Sequence, residues 1–262
     1  MKIGFLQFAP VFGEKERNLM SIEELLKDAQ GDLVVLPELA LSGYHFTSRE
    51  EVELTAEEVP GPATERLSRL AAKNSLRIVI GLVERSGERL CNSSVLIGPG
   101  GVEGIYRKAH LFGSERRFFA PGDLGFPLFE VGGVQVGMLV CFDHLFPEAA
   151  RTLALAGAEI IAHPSNLVLP EYAQLSTRVR SIENRVFWIL ANRYGNELRG
   201  GKTLHYTGRS QITAPGGSIL AQAPEEGDSL IFADIEPQQA RDKHVTQAND
   251  LFADRRPDIY VL

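Results

Sequence analysis

Three segments of the sequence each place one chemically reactive side chain directly after an apolar run. The segment DLVVLPE ends in Glu38, GIYRK ends in Lys108, and GMLVC ends in Cys141. In α/β folds, ligands gather beyond the carboxyl ends of strands, so these three positions are candidates for one site. If the three strands are neighbours in one sheet, a carboxylate, an ammonium group and a thiol meet in one pocket.

These three groups together could carry out acyl transfer. A free thiol has a pKa of roughly 8.5 and needs a base or a nearby cation to react at neutral pH. Glu38 could accept the thiol proton, and Lys108 could favour the thiolate and then stabilise an oxyanion. The backbone N–H of Phe142 would be a second oxyanion donor, because the chain turns sharply there before a helix that begins at Pro147. The pattern predicts attack of Cys141 on a carbonyl or nitrile carbon, then hydrolysis of a thioester.

Cys141 also has interpretations without catalysis. It could be an ordinary buried residue, with Lys108 reaching towards solvent and Glu38 capping a loop. It could instead pair with Cys91, the one other cysteine of the chain. A reducing cytosol disfavours that disulfide, and two cysteines do not make a disulfide framework.

A metal site is a further alternative, built from Cys141, Asp143 and His144. Zinc sites usually combine more widely spaced pairs, and His163 would complete this one only if the fold brings it near. A papain-like pair of Cys141 and His144 is disfavoured, because such partners come from separate segments. We expect no metal, and we expect Asp143 and His144 to line the pocket.

The elements that must position these residues alternate between strands and helices. We predict helices over residues 14–29, 62–74, 147–157 and 172–185, and a hairpin around Gly132 and Gly133. The other predicted strands are KIGFLQF, DLVVLPE, RIVIGLVER, RLCNSSVLIGP, GVEGIYRK, EIIAHPSN, VFWILAN, SQITAP, SILAQA and SLIFADI. This mixture indicates an α/β protein with mixed sheets, and no composition shift divides residues 1–262 into more than one domain.

The composition excludes several classes of function. Of the 262 residues 44% are hydrophobic, and the formal net charge of -7 argues against a nucleic-acid partner. The first residues show neither a cleavable signal pattern nor an apolar run long enough for a membrane, so we expect a cytoplasmic protein.

Over essentially its whole length the chain resembles the nitrilase superfamily of carbon–nitrogen hydrolases. The match rests on LPELALSGY around Glu38, YRKAHLF around Lys108 and VCFDHLFPEAAR around Cys141, in this order. The resemblance implies that these residues form a Glu-Lys-Cys triad that needs no cofactor. It also places a second glutamate at Glu115 in LFGSERRFFAPGD, where it would hold Lys108 and steer protons.

The same resemblance implies an αββα four-layer sandwich, in which two mixed sheets are flanked by helices. Subunits would pair to extend the layers as a homodimer or larger homo-oligomer, with the apolar segment at about 245–262 docking on a partner subunit. In HPSN, Asn166 would be structural or line the pocket. The other candidate pocket residues lie near the three motifs, namely Tyr44, His45, Phe46, Phe142 and His144.

The cysteine motif bears on the substrate. Nitrile-cleaving members often have Cys-Trp-Glu at the nucleophile, whereas this chain has Cys-Phe-Asp-His. We therefore expect hydrolysis of a small amide. Small aliphatic nitriles and N-carbamoyl compounds are alternative substrates, and an inactive binding protein of the same fold is an alternative of a different class.

Overall fold

The computed structural model of the protein describes residues 1–260, so the last two residues of the segment 245–262 lie outside the described residues. The strands are β1 (Lys2–Gln7), β2 (Leu33–Val35), β3 (Arg77–Ser86), β4 (Arg89–Gly98), β5 (Gly101–Arg107), β6 (Leu128–Val131), β7 (Val134–Met138), β8 (Ile160–Ser165), β9 (Phe187–Asn192), β10 (Tyr194–Arg199), β11 (Lys202–Thr207), β12 (Gln211–Thr213), β13 (Ile219–Gln222), β14 (Ser229–Asp234), β15 (His244–Thr246) and β16 (Asn249–Asp250). The α-helices are α1 (Lys15–Leu26), α2 (Arg49–Thr55), α3 (Pro62–Asn74), α4 (Pro147–Leu155), α5 (Tyr172–Asn184) and α6 (Gln238–Arg241).

Two six-stranded sheets form the centre of the molecule. The first has the order β14-β1-β2-β3-β4-β5, and the second has the order β13-β12-β9-β8-β7-β6. In each sheet the three central strands are parallel, and antiparallel strands flank them. With helices on the outside, this arrangement confirms the predicted αββα sandwich of two mixed sheets.

The short strand β2 shows how the layers are held. Leu33 and Val35 pack into the core between the sheets, whereas Val34 and Leu36 pack into a second core with α1 and α3. All four side chains are completely buried, and each such burial contributes about 1.5–3 kcal/mol. The strand is therefore apolar throughout because it has a hydrophobic layer on each face.

Several helices and strands of the structure were not predicted from the sequence patterns. The hairpin of β10 and β11 is one, because its residues are largely polar and its turn is the pair Gly200 and Gly201. Helix α2 and two 3₁₀ helices, Gly113–Arg117 and Cys141–Leu145, are others. Segments of five to seven residues are too short for a helical period to be read from them.

The C-terminal segment packs partly on its own chain. The Phe252 ring joins the core, with the Arg151 guanidinium 5.2 Å and the Lys243 ammonium 4.9 Å from its centre. Val245, Ile259 and Tyr260 are exposed, so docking of this segment on a partner subunit stays a prediction. No helix within residues 1–260 is long and apolar enough to span a membrane.

Gly81 in β3 permits a close backbone contact with the segment that carries Glu38. A Cβ atom at residue 81 would lie 2.4 Å from the Cα atom of Glu38 and 2.7 Å from the N atom of Leu39. Both of these are backbone atoms, so no side-chain rotation could relieve the overlap. The irregular chain after β2 can follow β3 only because residue 81 lacks a side chain.

We therefore expect Gly81→Ala to lower the free energy of unfolding by about 1–3 kcal/mol, as overpacking does. It should also reduce activity, because the backbone of Glu38 must move away from β3. Urea denaturation measures the first effect. Gly100→Ala is the control, because a Cβ atom there meets nothing within 4 Å. Equal stability of the two variants would show that the close contact at residue 81 does not require glycine.

Candidate active site

The three reactive side chains come from both sheets. Glu38 follows β2 and Lys108 follows β5 in the first sheet, where β3 and β4 lie between those strands, and Cys141 follows β7 in the second sheet. The idea that the three strands are neighbours in one sheet is therefore wrong. The residues meet because the two sheets pack face to face.

A buried cluster of three charged groups has Lys108 at its centre. The Lys108 Nζ atom donates to Glu38 Oε1 and to Glu115 Oε1, at 2.7 Å in each case. The three residues are 1%, 0% and 4% exposed, respectively. Burial alone would lower the pKa of Lys108, but Glu115 and Glu38 raise it above its ordinary value. The ammonium group is therefore charged, and its third N–H is not used by either carboxylate.

The two carboxylates have different environments. Glu115 Oε1 also accepts from the Tyr44 hydroxyl at 2.7 Å, and Oε2 accepts from the Phe112 N–H at 3.0 Å. Glu38 Oε1 accepts from the Asn92 amide at 2.7 Å, but its Oε2 has no hydrogen-bond partner within residues 1–260. Glu115 is thus held by both oxygens, whereas Glu38 has one oxygen available to take a proton.

Cys141 stands on a strained turn. Its φ of 44° lies in the left-handed region that residues with a Cβ atom rarely adopt, at the first residue of a 3₁₀ helix. Burial raises the pKa of the Cys141 thiol well above its ordinary range, and the charge of Glu38 raises it further, whereas Lys108 lowers it. The thiol is therefore protonated at rest and lies within the electrostatic influence of both groups.

Asn166 links the carboxylate and the thiol. Its side-chain amide donates to the backbone carbonyl of Glu38 at 2.8 Å, and its own backbone carbonyl lies 3.9 Å from Cys141 Sγ. The residue follows β8 of the second sheet, so these contacts join the sheets at the site. Asn166 therefore lies at the site, and the structural or pocket-lining role expected for it stays a prediction.

Asp143 does not line the pocket, contrary to the expectation from the sequence. Its buried carboxylate accepts from the Val140 N–H at 2.9 Å, from the Tyr106 hydroxyl at 2.8 Å and from the His110 N–H at 3.1 Å. The His110 Nδ1 atom is a further partner at 2.7 Å. Asp143 thus ties the segment after Lys108 to the turn of Cys141.

The metal and disulfide alternatives find no support in the geometry. Within residues 1–260, no three His, Cys, Asp or Glu side chains are arranged to hold a metal ion. His144 bonds to the Ser176 hydroxyl at 2.6 Å, and burial, with a smaller effect of Arg180, lowers the pKa of His144 to about 4. Cys91 and Cys141 are both free thiols.

Two adjoining cavities share the side chains of Phe112 and Val168, and one reaches Glu115 whereas the other reaches Cys141. The larger, of about 120 Å³, has Glu115 in its wall together with the predicted pocket residues Tyr44, His45 and Phe46. The smaller, of about 20 Å³, has Cys141 in its wall together with the predicted residues Phe142, His144 and Asn166. Apart from Asp143, the side chains that were expected in the pocket line one of these two cavities.

Other residues of the site were not predicted from the sequence. Asn92, which holds Glu38, is one of several polar residues in the strand RLCNSSVLIGP, and nothing in its spacing marks it. Glu197 accepts from the His45 N–H at 2.9 Å and from the Tyr206 hydroxyl at 2.7 Å, so β10 and β11 hold the loop that carries Tyr44. These partners come from distant parts of the chain.

The comparison with protein families agrees with this geometry. A family model described as "Carbon-nitrogen hydrolase" matches residues 2–244. The chain belongs to the carbon–nitrogen hydrolase family, within the nitrilase superfamily. It is a hydrolase that acts on carbon–nitrogen bonds other than peptide bonds.

Individual relatives of this hydrolase differ in their named activities. A nitrilase from Pyrococcus abyssi is 44% identical, with 99% of each chain covered. A carbon–nitrogen hydrolase from Helicobacter pylori G27 superposes with a TM-score of 0.85 at 28% identity, over 99% of this chain and 96% of that chain. A variant of the amidase from Nesterenkonia sp. AN1, solved after Michael addition of acrylamide at its active-site cysteine, superposes with a TM-score of 0.78 at 27% identity, over 93% and 96%.

The buried cluster makes a prediction about stability. Lys108→Met should lower the free energy of unfolding at neutral pH by about 3–5 kcal/mol, because it leaves buried carboxylates without their cation. Burial is the largest single influence on Glu38, whose pKa is raised even though Lys108 lowers it, so removal of Lys108 raises that pKa further.

The raised pKa of Glu38 makes the stability deficit of Lys108→Met depend on pH. A carboxyl whose folded pKa exceeds its unfolded value, roughly 4.3, destabilises the fold as the pH rises between the two values. The deficit of Lys108→Met should therefore shrink as the pH falls towards about 5. Urea denaturation at several pH values measures it, with Lys27→Met, at an exposed ion pair with Glu24, as the control. A deficit that does not change with pH would show that charged, unpaired carboxylates are not its cause.

Proposed function

We propose that this enzyme hydrolyses a small amide to a carboxylic acid and ammonia through a thioester on Cys141. The observation that carries the proposal is the Lys108 ammonium group, held 2.7 Å from both Glu38 and Glu115 beside the cysteine turn. Within residues 1–260 the third N–H of this buried ammonium group has no acceptor, so it is suited to stabilise negative charge that develops on a substrate oxygen. The proposed cycle requires no metal or organic cofactor.

In the first step Glu38 accepts the thiol proton of Cys141 on its free Oε2 atom. The Sγ atom then forms a bond to the amide carbon, and the carbonyl π electrons move to the oxygen. Lys108 and the Phe142 N–H stabilise the resulting oxyanion. The Phe142 N–H suits this task, because it has no hydrogen-bond acceptor within residues 1–260.

In the second step the oxyanion re-forms the carbonyl group and the carbon–nitrogen bond breaks. The leaving nitrogen takes the proton from Glu38, so ammonia departs and the thioester remains. Glu38 then takes a proton from water, whose oxygen attacks the thioester carbon. When the carbon–sulfur bond breaks, the proton returns to the Cys141 sulfur and the carboxylic acid is released.

The environment of Glu38 suits a group that must both take and give a proton. Burial is the largest influence on this carboxyl and raises its pKa towards the pH at which the enzyme works. Glu115 has no uncommitted oxygen, so we assign it the task of holding Lys108. The Tyr44 hydroxyl supports it, since burial and Glu115 raise the pKa of Tyr44 and keep its proton in place.

The cavities favour a small substrate. The walls near Cys141 are largely apolar and aromatic, with Phe112, Phe142 and Leu167 among them. We propose that Tyr44, His45, Phe46, Phe142, His144 and Asn166 surround the bound amide. A nitrile is the second candidate, favoured by the 44% identity to a nitrilase; attack of the same thiol on its carbon would give a thioimidate that two waters convert to acid and ammonia.

We also propose that the enzyme is a homodimer that pairs through α5. Tyr172, Leu175, Val179 and Ile182 form an apolar stripe on this helix and are 58%, 62%, 36% and 46% exposed. A stripe along one helix can pair with the same stripe of a second copy about a two-fold axis. Tyr172 also lines the cavity of Cys141, so pairing would cover an edge of the site.

The thioester mechanism predicts different results for the two buried cysteines. Cys141→Ala should abolish ammonia release from a panel of amides, nitriles and N-carbamoyl compounds and should leave the fold intact. Cys91→Ala is the matched control and should retain activity, since Cys91 lies in β4 and lines neither cavity. Intact-protein mass spectrometry should find an acyl adduct on the wild-type enzyme that is absent from Cys141→Ala.

Turnover by Cys141→Ala at the wild-type rate would exclude the mechanism. A wild-type protein that releases no ammonia and forms no adduct with any compound would favour a binding protein of the same fold.

The dimer proposal predicts that Leu175→Glu is monomeric in light scattering after size-exclusion chromatography, whereas the wild type has twice the chain mass. A buried, unpaired carboxylate at the interface opposes association. Leu54→Glu is the control, because Leu54 is 84% exposed on α2 and lies outside the stripe. A wild-type monomer, or dimers of Leu175→Glu, would exclude the interface.

A further inference from the structure

His163 contacts the backbone of the nucleophile but has no part in the cycle described above. It lies in β8 and is completely buried, and its Nε2 atom lies 2.9 Å from the backbone carbonyl oxygen of Cys141. The ring packs edge-on against Trp188, with centroids 5.5 Å apart. A completely buried imidazole is therefore in contact with the backbone of the Cys141 turn.

The protonation of this ring follows from its partners. A carbonyl oxygen only accepts, so the Nε2 atom must carry a hydrogen and donate it to Cys141. Nδ1 has no partner within residues 1–260, and a hydrogen there would be buried without an acceptor. The Ser165 hydroxyl, 3.2 Å from Nε2, lies on the same side of the ring. Burial, with a smaller effect of His144, lowers the pKa of His163 to about 3, so the ring is neutral at working pH.

The carbonyl of Cys141 and the N–H of Phe142 belong to the same peptide group. That group is planar and trans, so its C=O and N–H bonds point in opposite directions. Because the carbonyl points at His163, the Phe142 N–H points away from β8. Both Cys141 and Phe142 line the smaller cavity.

We propose that His163 is a positioning residue of the oxyanion hole, which aims and polarises the Phe142 N–H through the Cys141 carbonyl. This inference rests on the proposed thioester mechanism, in which that N–H binds the oxyanion. A hydrogen bond accepted by a carbonyl increases the polarity of the whole peptide group and strengthens its N–H as a donor. It also helps to hold Cys141 at its strained φ of 44°.

The chain just before Cys141 is held by a hydrogen bond that does not involve His163. Asp143 accepts from the Val140 N–H at 2.9 Å, one peptide group before Cys141. With this contact intact, loss of the His163 donor should free the peptide group between Cys141 and Phe142 without releasing the thiol. The expected defect is therefore specific to reactions that form an oxyanion.

The test compares two reactions of the same thiol. Hydrolysis of an amide passes through an oxyanion, whereas alkylation of Cys141 by iodoacetamide displaces iodide and forms none. In His163→Phe, which keeps an aromatic ring but no donor, kcat should fall about tenfold to a hundredfold. Loss of a whole oxyanion donor costs about 10²–10³. The KM and the alkylation rate should stay within about threefold of the wild type.

A conservative variant separates positioning from packing. His163→Gln places an amide N–H near the former Nε2 atom and should restore most of kcat. His163→Met is a second variant without a donor, in case the rigid ring of His163→Phe does not fit. Trp188→Phe removes packing from the same ring and keeps the hydrogen bond, so it should lower stability but leave kcat within a few-fold of the wild type.

The outcomes are distinct. The proposal is overturned if His163→Phe and His163→Met hydrolyse the amide at the wild-type rate, or if turnover and alkylation fall together and His163→Gln restores neither. An inactive wild type, or an active Cys141→Ala, would instead show that the thioester mechanism itself has failed, and this proposal would fall with it.

Discussion

One buried ammonium group between two carboxylates is the interaction on which the rest of the site depends. An ion cluster with almost no exposure is costly to desolvate, and it persists only where every charge has close partners. Lys108 has Glu38 and Glu115, Glu38 has Asn92, and Glu115 has Tyr44 and the Phe112 N–H. The surroundings of the cluster are therefore constrained in detail, because loss of any partner leaves a charge in an apolar interior.

The same constraint explains why the two carboxylates differ. Donors occupy both oxygens of Glu115, as the proposed role of a counter-ion requires. Glu38 keeps one oxygen without a partner within residues 1–260, beside a thiol whose pKa burial has raised. In the proposed mechanism, the charged lysine, the carboxyl that exchanges a proton and the protonated thiol remain unreactive until a substrate arrives. The chemistry of the site is thus set by which lone pairs the fold leaves unoccupied.

The sequence predicts much of this arrangement because several signals are local. Glu38, Lys108 and Cys141 each follow an apolar strand, and the motifs around them indicate a known family. The predicted helix over residues 62–74 coincides with α3, and the predicted strand DLVVLPE contains β2. These features depend on neighbours in the sequence, so a pattern of two or 3.6 residues reveals them.

The features that the sequence does not predict depend on how the two sheets pack against each other. Whether Glu38 and Cys141 share a sheet cannot be read from strand ends. The expectation that Asp143 faces the pocket was wrong because its carboxylate is bound by Tyr106 of β5, by His110 after β5 and by the Val140 N–H. The contact of His163 with Cys141 and the support of Tyr44 by Glu197 are likewise long-range. The polar hairpin of β10 and β11 has no hydrophobic period, although it helps to hold the loop of the site.

The division of the site between two sheets has a consequence for the maturation of the enzyme. Folding of the first sheet alone could assemble the carboxylates around Lys108, and folding of the second alone could form the turn of Cys141. Neither half-formed species has the proposed nucleophile beside its proposed proton acceptor. The first sheet is also incomplete until β14, near the end of the chain, pairs with β1 at its beginning. A partly folded chain whose two sheets have not yet packed together would thus carry an unactivated thiol.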